Sequence, residues 1–88
     1  LVETKKILDS AYVVHTALGP GMLESAYEAC LAHEIRKRGL DVRSQVPLPL
    51  QYDGIRLDAG YRIDLLVEDK IVVEVKAIRS IEPIHRAQ

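Results

Sequence analysis

The sequence has one cysteine, no tryptophan and no phenylalanine among its 88 residues, and no long apolar run. A single cysteine, Cys30, closes no internal disulfide, so a reducing cytoplasmic compartment is the expectation. No stretch approaches the roughly 20 apolar residues that span a bilayer, and the first residues carry no signal-peptide pattern. An excess of one charge sign is lacking as well. Twelve Lys and Arg stand against thirteen Asp and Glu, for a formal net charge of −1. Phosphate neutralisation alone usually requires a more basic chain, so the overall charge gives no support for a nucleic-acid partner.

What is present is an ordinary globular balance, 48% hydrophobic and 28% charged. The length suffices for one small core, and residues 1–88 are read as a single domain. The chain begins at Leu1 already in a helical pattern. It stops at Gln88, shortly after Pro83, where Ser80 or Glu82 opens a further helix. The expectation is a domain incomplete at its C-terminus.

Ile7, Ala11, Val14 and Leu18 recur at steps of four, three and four, which predicts an amphipathic helix. Gly19-Pro20-Gly21 breaks it. A second helix follows, with Leu23, Tyr27, Cys30, Leu31 and Ile35 expected inward. Arg36, Lys37 and Arg38 suit its negative C-terminal dipole end, and Gly39 suits the residue just beyond. From Leu40 the period becomes two. Val42, Ser44, Val46, Leu48 and Leu50 alternate with Arg43, Gln45, Pro47, Pro49 and Gln51, and the two prolines mark an edge or interrupted strand. Asp53-Gly54 is a turn. Further strands are expected from Leu57 to Val67 and from Ile71 to Ala77.

Glu68, Asp69 and Lys70 make a three-residue hairpin loop between the last two strands. Pairing Val67 with Ile71 carries the register to Leu66–Val72, Leu65–Val73 and Asp64–Glu74. Two carboxylates then oppose each other with Cβ atoms about 5 Å apart, and Lys76 shares their face. The neighbours are apolar on both faces, which suggests a sheet covered on both sides. A half-buried carboxylate pair must share a proton, find cations or hold a metal. Two hard oxygen donors with open positions describe a Mg²⁺ or Mn²⁺ site, beside which Lys76 can orient water or stabilise a phosphate oxygen. The plainer reading is a solvated, ion-paired sheet face, and register alone does not choose between the two.

Asp64, the hairpin and Glu74-Val75-Lys76 resemble the D…(D/E)-x-K half of the PD-(D/E)XK nuclease superfamily. Gly21, Glu24 and Tyr27 resemble the Gly-x-x-Glu-x-x-Tyr pattern of the GxxExxY protein family, and the resemblance runs from His15 to Gln88. Ile63, not proline, precedes Asp64. The resemblance implies an α+β, restriction-endonuclease-like core: N-terminal helices, a three-stranded mostly antiparallel sheet, then the start of a further helix. It implies Asp64, Glu74 and Glu24 as metal ligands and Asp64, Glu74 and Lys76 as the catalytic set. Gln88 stands where many members add a glutamine.

The function so implied is metal-dependent phosphodiester hydrolysis with Mg²⁺ or Mn²⁺, on DNA ahead of RNA. The alternative is a catalytically silent nuclease-like module that binds nucleic acid or a partner protein. A homodimer is one way to close an unpaired sheet edge. Other residues have plainer roles. His15 caps or packs against the Gly-Pro-Gly turn, the Arg36–Arg38 cluster with Arg43 aids solubility, and Tyr52 and Tyr61 fill a sheet face. Cys30 and His33 lack a second pair for zinc.

Overall fold

The computed structural model describes residues 1–57 and 60–76. Helix α1 spans Val2–Leu18 and α2 spans Glu24–Lys37. On α1 the expected stripe holds: Ile7 and Val14 are buried, and Ala11 and Leu18 pack against them. Ser10 is also fully buried, and its hydroxyl donates to the Lys6 carbonyl at 2.7 Å. The helix ends at Gly19, whose N–H bonds the His15 carbonyl at 2.9 Å. Helix α2 ends as expected, with Gly39 at φ 86 and its N–H on the Arg36 carbonyl. A residue without Cβ takes that left-handed conformation without a clash.

The inward face of α2 differs from the expectation. Leu31, Ala32 and Ile35 are buried, whereas Cys30 is exposed and Leu23 is 76% exposed. Leu23 precedes the first turn in extended backbone and so lies off the helical stripe. A helix advances about 100° per residue. Exchanging Cys30 for Ala32 therefore rotates the buried face toward Glu28, which becomes half-buried.

Three strands form one antiparallel sheet in the order β1, β4, β5: Val42–Pro47, Arg62–Val67 and Ile71–Val73. Val42 pairs with Val67, Ser44 with Leu65 and Val46 with Ile63. Val42, Leu65 and Val67 are buried, with Leu40, against the core residues of the helices, and Ile71, Val73 and Val75 pack at the margin. Leu65, Val67 and Ile35 have no more than trace exposure, so the centre of the core is where α2 crosses β4. Cover on both faces is not found among the described residues, since Val72 is 54% exposed.

The expected strand from Leu57 to Val67 is divided. Strands β2 (Leu50–Tyr52) and β3 (Ile55–Leu57) form a separate two-stranded hairpin, turned at Asp53 (φ 48) and Gly54 (φ 79). Two consecutive left-handed residues give the turn that matches strand twist. Tyr52 and Tyr61 are both exposed and fill no sheet face.

The loop from Glu68 to Lys70 forms as expected, with Glu68 at φ 53, Asp69 at φ 55 and the Lys70 N–H on the Val67 carbonyl. It is tied to the start of β1. The Asp41 N–H donates to Glu68 Oε2 at 2.7 Å, the Glu68 N–H to the Asp41 carbonyl, and Arg43 Nη2 to Asp69 Oδ1 at 2.6 Å. The expected further helix and Gln88 lie outside the described residues.

Candidate metal centre

The register of β4 with β5 is the expected one, Val67–Ile71, Leu66–Val72 and Leu65–Val73. It stops one pair short of Asp64–Glu74, because β5 ends at Val73 rather than continuing to Ala77. The half-buried Asp64 carboxylate takes over where the ladder ends. Its Oδ2 accepts the Val75 N–H at 2.8 Å. A carboxylate bonded to a backbone donor is stronger than a neutral acceptor and has its orientation fixed.

Two cavities meet at this point. A small one of about 150 Å³ is lined by Glu24, Ser25, Glu28, Gln45, Asp64 and Val75. A larger one, about 620 Å³, lies between α1, the start of α2 and the segment after β5. Glu24, Glu74, Lys76, His15 and Tyr27 line it, together with apolar side chains of both helices. Glu24 and Val75 line both. Glu74 and Lys76 are thus brought together in one cavity, Asp64 sits in the other, and Glu24 is common to them.

The positions follow from local structure. Glu24 is the first residue of α2, where a carboxylate is favoured by the positive end of the helix dipole. Tyr27 lies one turn on and packs against the core, which anchors that turn. The side chain of His15 is exposed toward the larger cavity, while its carbonyl carries the α1 cap.

Glu28 and Gln45 were not singled out by sequence reasoning. Gln45 Nε2 donates to Glu28 Oε1 at 2.6 Å and reaches Asp64 Oδ1 at 3.5 Å. Their signal in the sequence is modest. Glu28 follows Glu24 by four residues, one helical turn on the same face. Gln45 faces Asp64 only once the β1–β4 register is known.

The donor chemistry of the small cavity suits a hard cation, since its carboxylates come from Glu24, Glu28 and Asp64. Among the described residues, no three His, Cys, Asp or Glu side chains converge closely enough to form a preassembled ion cluster. One lone pair of Asp64 Oδ2 is engaged by Val75, and the rest of the carboxylate retains acceptor capacity.

The basic stretch is occupied elsewhere. Arg36 Nη2 donates to the Val42 carbonyl at 2.9 Å, and Lys37 and Arg38 pair with Glu34 at 3.3 and 2.9 Å. The Arg38 hydrogen bond is the main reason that the Glu34 carboxyl is held below its usual range. These groups lace α2 to itself and to β1. Cys30 and His33 line a separate groove between α1 and α2.

No curated protein and no solved structure matches the chain. The sequence profile of the PD-(D/E)XK nuclease superfamily matches residues 2–88. Two helices and a three-stranded antiparallel sheet, with acidic side chains where the strands end, accord with that match, and the chain belongs to the PD-(D/E)XK nuclease superfamily.

Proposed function

We propose that the chain hydrolyses phosphodiester bonds in DNA with a divalent cation, Mg²⁺ or Mn²⁺. Asp64 and Glu24 would hold the ion, with Glu74 as a further ligand, and Lys76 would stand beside the scissile phosphate. The observation that carries this reading is the shared lining of the two cavities. Glu24 borders Asp64 in one and the Glu74–Lys76 pair in the other.

A bound Mg²⁺ or Mn²⁺ would polarise a phosphoryl oxygen and lower the pKa of bound water. The chain's own groups supply the rest. The Val75 N–H holds Asp64 in one orientation, and the helix start holds Glu24. The Lys76 ammonium offers three donors and a full charge to the attacking water or a phosphate oxygen. The larger cavity is walled on its inner side by buried apolar side chains of both helices, Ile7, Val14 and Leu31.

Calorimetric titration of Mn²⁺ tests the ligand assignment. Wild type should bind the ion, and Asp64→Ala should lose binding. Equal binding by both would remove Asp64 from the site.

A second reading is a nuclease-like module that binds nucleic acid or protein without cutting. It is favoured by the absence of a preassembled ion cluster among the described residues and by the net charge of −1. Cation binding without cleavage would select it.

A further inference from the structure

Gln45 occupies β1 at φ 53, a left-handed conformation that side chains bearing a Cβ rarely adopt. The pairs on either side, Ser44–Leu65 and Val46–Ile63, belong to the ordinary antiparallel ladder. Glycine would take this backbone without a clash, so the presence of a long amide side chain here calls for a reason in the side chain itself. That side chain reaches two carboxylates on different elements. Its Nε2 donates to Glu28 Oε1 on α2 at 2.6 Å and approaches Asp64 Oδ1 on β4 at 3.5 Å.

We propose, on the reading of the site given above, that Gln45 is a positioning residue. Its amide, held between Glu28 and Asp64, sets the separation between the acidic face of α2 and the carboxylate of β4. The chemistry of the group suits the task. Two N–H bonds from one amide nitrogen can serve two acceptors at once. The amide carries no net charge, so it holds the carboxylates in place while leaving the cavity negative for a cation. A lysine at this position would neutralise them and compete with the ion. Because Glu24 lies one turn before Glu28 on the same helix face, fixing Glu28 also fixes the distance of Glu24 from Asp64.

The test titrates Mn²⁺ into the full chain by calorimetry and records Tm for wild type, Asp64→Ala, Gln45→Met and Gln45→Gly. Gln45→Met keeps the length of the side chain and removes its donors. Gln45→Gly removes the side chain and relieves the backbone. Both should raise the half-saturating Mn²⁺ concentration about tenfold, the effect of losing a hydrogen bond to a charged group. Gln45→Gly should do so with Tm unchanged or raised, a combination that a purely structural role does not give. An unchanged half-saturating concentration in both variants, with wild type binding and Asp64→Ala not, would overturn the role of Gln45 and leave the site standing. Absence of Mn²⁺ binding by wild type would overturn the site and the role together.

Discussion

At the scale of single residues, Asp64 has two roles that can be separated. It accepts the Val75 N–H at 2.8 Å and so ends the β4–β5 pairing, and it presents acceptors to the small cavity. Asp64→Asn keeps a carbonyl oxygen for Val75 and loses the charge. Asp64→Ala loses both. Chemical denaturation should therefore show Asp64→Ala less stable than Asp64→Asn by about 1 kcal/mol, the typical effect of a lost hydrogen bond. Asp64→Ala should lose Mn²⁺ binding, and Asp64→Asn should bind the ion weakly. Equal stability of the two would mean that the Val75 contact contributes nothing to the fold. The spacing of Asp64, Glu74 and Lys76 and the resemblance to the superfamily motif single these residues out in the sequence, while register alone leaves an ion-paired sheet face equally open. Glu28 and Gln45 were not legible, since their part depends on the rotation of α2 and on one backbone angle in β1.

At the scale of elements, the turns and caps were the clearest signals. Gly39, the Asp53-Gly54 turn and the Glu68–Lys70 loop each form where the sequence places them. Their chemistry is local, so no tertiary information is needed. Gly39→Ala should lower stability by about 1 kcal/mol, because φ 86 places a Cβ in a disfavoured region. In a domain of this size that is a fall in Tm of roughly 4–8 °C. No change in Tm would mean that the α2 end adopts another conformation in solution. Strand lengths were less legible. The run from Leu57 to Val67 has no pattern that says Leu57 belongs to a separate hairpin. Likewise, Glu74–Lys76 alternates like a strand, yet the chain leaves the ladder after Val73.

At the scale of the whole molecule, the core is small and centred on Ile35, Leu65 and Val67. Ile35→Ala should remove about 2–5 kcal/mol, comparable to the entire stability of many small domains, and urea or thermal unfolding would show it. A loss below about 1 kcal/mol would place the centre of the core elsewhere. Acid should also weaken the fold. The Glu3 carboxyl is held low first by a backbone hydrogen bond at the start of α1 and then by Lys70, and Glu34 is held low first by Arg38. For depressed carboxyls the added stability is present above the pKa of the unfolded chain and lost as pH falls through the lower folded value. Both carboxyls are half-buried beside exposed lysines, Lys70 and Lys37, so the effect is modest and salt should reduce it. Glu34→Gln should flatten the fall in stability on acidification. The same steepness as wild type would show that the Arg38 pair makes no contribution. The fold class was legible at this scale from the change of period near Leu40. The exposure of Val72 among the described residues was not, because apolar residues on both sides of a strand read as burial whatever covers them.

Cleavage of supercoiled plasmid DNA in Mn²⁺ is the direct readout of the cation-dependent hydrolysis proposed for this acidic site. Wild type and Lys76→Ala are compared at saturating cation, with Mn²⁺ binding measured on both. Wild type should nick the plasmid, and Lys76→Ala should lose about 100-fold or more of that rate with cation binding retained. Saturated wild type that leaves the plasmid intact, or Lys76→Ala that cuts as fast as wild type, would contradict the hydrolysis proposed for this site.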